Sequence, residues 1–158
     1  MKTHGGGFTL VELLIVIMII ATLAGILLLT TGMSMDSTEA AKIIGDLRNL
    51  KSAAILYYID HLTWPTNTDA ASLDIYTDRP ICAANPPRYA YVLIGTPYPD
   101  AAGQERVNLG VGLFADGNGS PGIRKKLAAR ARDAGILGSA SDASALYTGG
   151  ADVFINLR

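Results

Sequence analysis

From Phe8 to Leu29 the chain runs through about 22 residues with no proline and one charge, Glu12. An apolar run of that length predicts a helix of about 33 Å, enough to cross a bilayer. The pattern then changes. Ala40, Ile43, Ile44, Leu47, Leu50, Ala54, Tyr57, Tyr58 and His61 recur at intervals of three and four, with Asp36, Glu39, Lys42, Asp46 and Asn49 on the other side. That is an amphipathic helix with one stripe to bury. No proline precedes Pro65, so both stretches are expected to form one helix from Phe8 to about Asp60, roughly 80 Å long. Thr30 to Ser34, around Gly32, is its weak point, where it could bend or melt.

Beyond Trp64-Pro65 the helical period is lost, and Pro80, Pro86 and Pro87 predict irregular structure up to Arg88. Tyr89 to Ile94 reads as a strand, rich in β-branched and aromatic residues and bounded by Gly95 and Pro97. A second strand is cleaner, because Val107, Leu109, Val111 and Leu113 alternate with Asn108, Gly110 and Gly112. Asp116 to Gly122 is a turn, Ile123 to about Ala134 a short basic helix, and Val153 to Leu157 a third strand. The expected fold class is α+β, a long N-terminal helix whose second half carries a small antiparallel sheet. The expected divisions are a leader over 1–7, a span over 8–29, its amphipathic continuation over 30–62, and a head over 63–158.

Composition changes this picture little. The 158 residues are 49% hydrophobic and 17% charged with net charge -1; much of the apolar excess lies in the first thirty residues, leaving enough for one modest core. A near-neutral balance argues against a protein devoted to polyanions. Cys82 is the only cysteine, so no intrachain disulfide forms, and it reads as a small apolar side chain. Neither His4 nor His61 lies at metal-ligand spacing from it. The apolar run is longer than the core of a secretory signal and continues into amphipathic helix, so a retained span is expected. Lys2 before it, with Asp36 and Glu39 after it, places the N-terminus in the cytoplasm.

A carboxylate in hydrocarbon costs about 2.5 to 3.5 kcal/mol even on lenient scales, so Glu12 calls for an explanation. The stretch Gly7-Phe8-Thr9-Leu10-Val11-Glu12-Leu13 resembles the signature of type IV pilins and type II secretion pseudopilins: a short basic leader ending in glycine, then phenylalanine, then glutamate at the fifth position after cleavage. The resemblance covers about 25 residues. It implies cleavage after Gly7 by a prepilin peptidase, N-methylation of Phe8 by the same enzyme, and transfer from the membrane into a homo-oligomeric helical filament. An inner-membrane assembly platform and an assembly ATPase are implied partners, and no cofactor is implied. Glu12 would then meet the Phe8 amine of a neighbouring subunit, burying two charges as a pair. Ala21 and Gly25 form a small-xxx-small pair that allows close helix approach. Before assembly the chain would be a single-pass inner-membrane protein with its head in the periplasm. Afterwards it would lie in a surface pilus, or in a periplasmic filament if it is a pseudopilin. One cysteine cannot close the disulfide loop of many pilins, and the calcium-loop pattern of the major pseudopilin is not evident.

Three other readings are weaker. Asp116-Gly117-Asn118-Gly119-Ser120 has alternating oxygen donors, but Pro121 and Leu127 stand where an EF-hand needs glycine and glutamate, so a tight turn is expected. Arg124, Lys125, Lys126, Arg130 and Arg132 could contact nucleic acid, as in a competence pilus. With no interleaved aromatic residues to stack bases, a solvated face or a contact with acidic residues of neighbouring subunits is favoured. No nucleophile elbow, phosphate loop, zinc spacing or paired-carboxylate pattern points to an enzyme, and His61 reads as a packing or capping residue.

Overall fold

Thr9 starts the first helix, α1 (Leu10–His61), and Leu62 stops it. The computed structural model describes residues 7–84 and 86–158, apart from the side chains of 29–34, 68 and 69. Lys2 and His4 lie outside the described residues. The chain divides into two compact units, Met1–Met35 and Asp36–Arg158. In the first, Leu10–Leu28 is a helix of mean hydropathy 2.8 with none of its length buried in protein. The backbone stays helical through Thr30 to Ser34, so the weak stretch around Gly32 does not melt.

In the second unit the stripe of α1 is covered from Ala40 to Tyr57, while His61 at its expected end is exposed. Ala40, Ile43, Leu47, Leu50, Ala53 and Ala54 are fully buried, and Tyr57 packs partly against the same core. Asp46, expected on the polar side, is also buried. The helix ends at Leu62, whose φ of 57° puts it in the left-handed conformation typical of a helix stop. Its N–H donates to the Tyr58 carbonyl at 2.7 Å.

The stretch expected to be irregular contains a 3-10 helix, Asn67–Tyr76. Its Asp74 carboxylate accepts the backbone N–H groups of Ile81 (2.8 Å), Cys82 (2.9 Å) and Ala83 (2.7 Å). One side chain thus closes a proline-punctuated loop that has no ladder of its own, and Leu73 and Ile81 enter the core beside it.

The three expected strands form one antiparallel sheet. They are β1 (Tyr91–Ile94), β4 (Asn108–Gly112) and β6 (Asp152–Asn156), all antiparallel. Three short elements were not anticipated: a hairpin of β2 (Tyr98–Pro99) and β3 (Glu105–Arg106), and β5 (Ile136–Leu137), which pairs with the free side of β6. The sheet order is β1-β4-β6-β5. Val107, Leu109, Val111 and Leu113 are buried on one face with Val153 and Ile155. On the other face Gly110 pairs with Phe154 and Gly112 with Tyr91. A Cβ on either glycine would fall 2.2 Å or 2.5 Å from the partner's ring, so the aromatic rings fill the space the glycines leave.

Helix α2 (Pro121–Ala134) is bounded by orthodox chemistry. Ser120 caps it, Pro121 opens it, and Gly135 closes it at φ 68°. Ile123, Leu127 and Ala131 turn its inner face into the core.

Candidate processing and assembly site

Glu12 does not stand alone at the start of α1. The Thr9 N–H and hydroxyl both donate to its Oε2, at 2.9 and 2.8 Å, and the Glu12 N–H donates back to Thr9 Oγ1 at 3.2 Å. With Thr9 as N-cap and Glu12 at the third helical position this is a capping box, which satisfies donors that the first turn otherwise leaves free. The carboxylate also sits at the positive end of the helix dipole. Thr9 is a site residue missed by the sequence reading above, although Thr-x-x-Glu before an apolar run is its signal. The box holds the Glu12 carboxylate against the backbone of the residue that follows Phe8. Phe8 itself is 86% exposed.

Down the span the side chains are exposed and apolar. Thr22 has its hydroxyl satisfied within the helix, donating to the carbonyls of Met18 (3.1 Å) and Ile19 (2.9 Å), the pairing a polar group needs on an apolar helix. Ala21 and Gly25 stand one turn apart on this helix, with open space where a Gly25 side chain would be. The structure therefore brings Thr9 and Glu12 together and places Ala21 and Gly25 on an uncovered surface.

The family described as a prokaryotic N-terminal methylation motif matches residues 4–28. A fimbrial protein of Neisseria meningitidis is 36% identical over 78 residues, 49% of this chain and 46% of that protein. The type II secretion system core protein G of Aeromonas hydrophila is 28% identical over 88 residues, 56% of this chain and 60% of that one. The chain thus spans about half the length of one of these relatives and three fifths of the other. The competence protein ComGC of Halalkalibacterium halodurans is 39% identical over 85 residues, half of this chain and 78% of that protein. The chain belongs to the type IV pilin and pseudopilin family. No solved structure gives a significant match.

The family is a structural one, and the chain's other singled-out side chains are engaged structurally. Burial, the nearby Asp74 charge and a hydrogen bond to it push the Cys82 thiol up to about 12, which leaves it a poor nucleophile. His61 stacks on Tyr57 with ring centroids 4.1 Å apart, and its Nδ1 lies 3.1 Å from the Tyr57 carbonyl. In the Asp116–Ser120 turn, the Asn118 amide accepts from the Phe114 N–H at 2.9 Å and donates to the Arg88 carbonyl at 2.7 Å. Among the described residues no group of His, Cys, Asp and Glu is arranged to hold a metal.

Asp46 is the main correction to the sequence reading. It accepts from Arg79 Nη2, from Arg88 Nε at 2.5 Å and from the Tyr89 hydroxyl at 2.7 Å, while Arg88 Nη2 lies 2.9 Å from Glu39. Burial pushes its carboxyl up, but the bonds from Tyr89 and Arg88, the Arg88 charge and the Arg79 bond together outweigh it. The carboxyl ends below the usual range. All three donors arrive from the 79–89 segment, far along the chain, so helical periodicity alone could not place Asp46 inside.

Proposed function

We propose that this chain is a structural subunit of a type IV pilus-like filament, stored in the membrane by its apolar helix and assembled by helix packing. The observation that supports this best is the Thr9–Glu12 box directly after Gly7-Phe8, at the head of a helix whose first stretch, Leu10–Leu28, is apolar and uncovered. Hydrolysis of the Gly7–Phe8 peptide bond by a prepilin peptidase releases the leader with its new Gly7 carboxylate and leaves an α-ammonium on Phe8. N-methylation keeps that nitrogen cationic. In the filament Glu12 pairs with the Phe8 ammonium of a neighbouring subunit and sets the register, and Ala21 and Gly25 admit a neighbouring helix closely. The capping box supplies a partner for Glu12 while the subunit is still in the membrane. An assembly platform and its ATPase deliver the motive force. The N-terminus is cytoplasmic and the head periplasmic before assembly.

Glu12→Ala tests this. The variant is expected to lose its leader normally, seen as the same mobility shift on an immunoblot, and to yield no sheared filaments by electron microscopy. Filaments at normal yield would overturn the pairing. A second reading, a pseudopilin of a type II secretion system, draws support from the likeness to protein G. Deleting the gene separates the two, because a pilin loss removes surface filaments and a pseudopilin loss leaves exported proteins in the periplasm. The likeness to a competence protein adds a DNA-handling variant of the first reading, which predicts salt-sensitive DNA binding by the full chain.

A further inference from the structure

Helix α2 carries Arg124, Lys125, Lys126, Arg130 and Arg132 against one acid, Asp133, in a chain of net charge -1. Its first turn has no acid of its own, and the nearest one supplied from outside is the Asp36 carboxylate against Gly122. Ile123, Leu127 and Ala131 commit the inner face to the core, and Lys125, Ala129, Arg132 and the single acid Asp133 face solvent. Arg124 Nε is shielded from water and has no hydrogen-bond partner among the described residues, so its guanidinium retains a donor. Arg130, by contrast, is tied down, with Nη2 donating to Ser37 Oγ at 2.7 Å.

The anchorage of α2 decides what this face can meet. The Asp36 carboxylate lies against Gly122, where a Cβ would come within 1.9 Å of Oδ2, and Arg130 holds Ser37. Asp36 follows the last residue of the apolar span, Leu28, by eight positions. Even a fully extended linker of about eight residues reaches only about 28 Å. A chain anchored by that span therefore keeps α2 tethered close to a membrane surface, where the effective concentration of headgroups is high.

We propose that the exposed face of α2 docks on anionic phospholipid headgroups of the membrane that holds the span, before the subunit is assembled. The inference rests on the membrane-anchored state proposed above. Lys and Arg near an anionic surface each gain attraction that decays within a Debye length, and guanidinium groups pair with phosphate oxygens in a forked geometry. The face offers cations without an apolar wedge, so the contact is electrostatic rather than inserted. Its consequence is a head held to the bilayer until assembly replaces the lipid phosphates.

The test uses the full-length chain with Cys82→Ser and a fluorophore on Ala129→Cys, reconstituted at low density into phosphatidylcholine vesicles bearing a headgroup nitroxide quencher. Flotation with the vesicles reports the anchor independently of the dock. With about a third phosphatidylglycerol added, the label is expected to be quenched, and the quenching to vanish between about 0.05 and 0.5 M salt. Lys125→Gln and Arg132→Gln are each expected to lower the docked-to-undocked ratio about fivefold. Equal quenching in neutral vesicles, or quenching indifferent to both substitutions, would overturn the proposal while leaving the anchor intact. Fluorescence changes that depend on protein density rather than on phosphatidylglycerol would assign the face to a second copy. Failure to float would remove the anchored state and the dock together.

Discussion

Helix α1 makes two different bargains with the same residue types. Over Leu10–Leu28 its leucines, isoleucines and valines are exposed, with Leu14 56% accessible and Ile17 likewise. Over Ala40–Ala54, Ile43, Leu47 and Leu50 are completely buried. The head half is covered by its own chain, by the β4 and β6 faces and by α2, so its burial is part of the folding free energy of one molecule. Leu10–Leu28 has no cover among the described residues, and in the function proposed above its burial belongs to lipid or to other subunits. A helix that is apolar all round and one that is apolar on a stripe are thus distinguishable by where their energy is measured.

The largest expected effect tests that division directly. Leu47→Ala removes a fully buried side chain and is expected to destabilise the head by about 3 kcal/mol. The same substitution at Leu14 should leave head unfolding within about 0.5 kcal/mol. Urea unfolding of the detergent-solubilised chain, followed by near-ultraviolet circular dichroism, reads both. Equal losses at the two positions would break the comparison.

A somewhat smaller effect sharpens it from the polar side. Glu12 is exposed on the span half and among the described residues meets Thr9, whereas Asp46 is buried on the head half among Arg79, Arg88 and Tyr89. Removing the charge from a buried pair leaves its partner uncompensated, so Asp46→Asn is expected to cost about 2 kcal/mol, less than a fully buried pair would because Arg79 is largely solvated. The Asp46 carboxyl is held below its ordinary value of 3.8 in the folded head. Its contribution is therefore fully present above the unfolded value and is lost as pH falls through the folded one. Wild-type stability should fall steeply below about pH 4, with a shallower fall in Asp46→Asn; parallel curves would remove Asp46 from the account.

What the sequence makes legible follows from the reach of each interaction. The span, the stripe from Ala40 to Ala54 and the alternation of β4 are local periodicities, and all three strands found that way pair as expected. The capping box is equally local, since Thr9 and Glu12 are one turn apart, and its signal stands in the sequence. Asp46 is different in kind, because its side of the helix is decided by Arg79, Arg88 and Tyr89. The order in the 67–83 segment likewise hangs on one Asp74 carboxylate meeting three backbone N–H groups. β5 is two residues long and exists because β6 has an edge to pair; no propensity marks so short a strand.

The smallest expected effect concerns the two ends of α1. Its start is stabilised by the Thr9–Glu12 box, but its stop places Leu62 at φ 57°, where a Cβ costs about 1 kcal/mol or more and glycine costs none. Leu62 is 76% exposed, so little burial is lost on truncation. Leu62→Gly relieves the left-handed strain and adds chain entropy to the unfolded state, and the two oppose each other. The balance favours the variant by roughly 0.5 kcal/mol, read as a higher urea midpoint at unchanged slope. A lower midpoint would mean that the Leu62 side chain contributes to the head in a way its exposure conceals. That outcome would move the boundary of the covered half of α1 past its last helical turn.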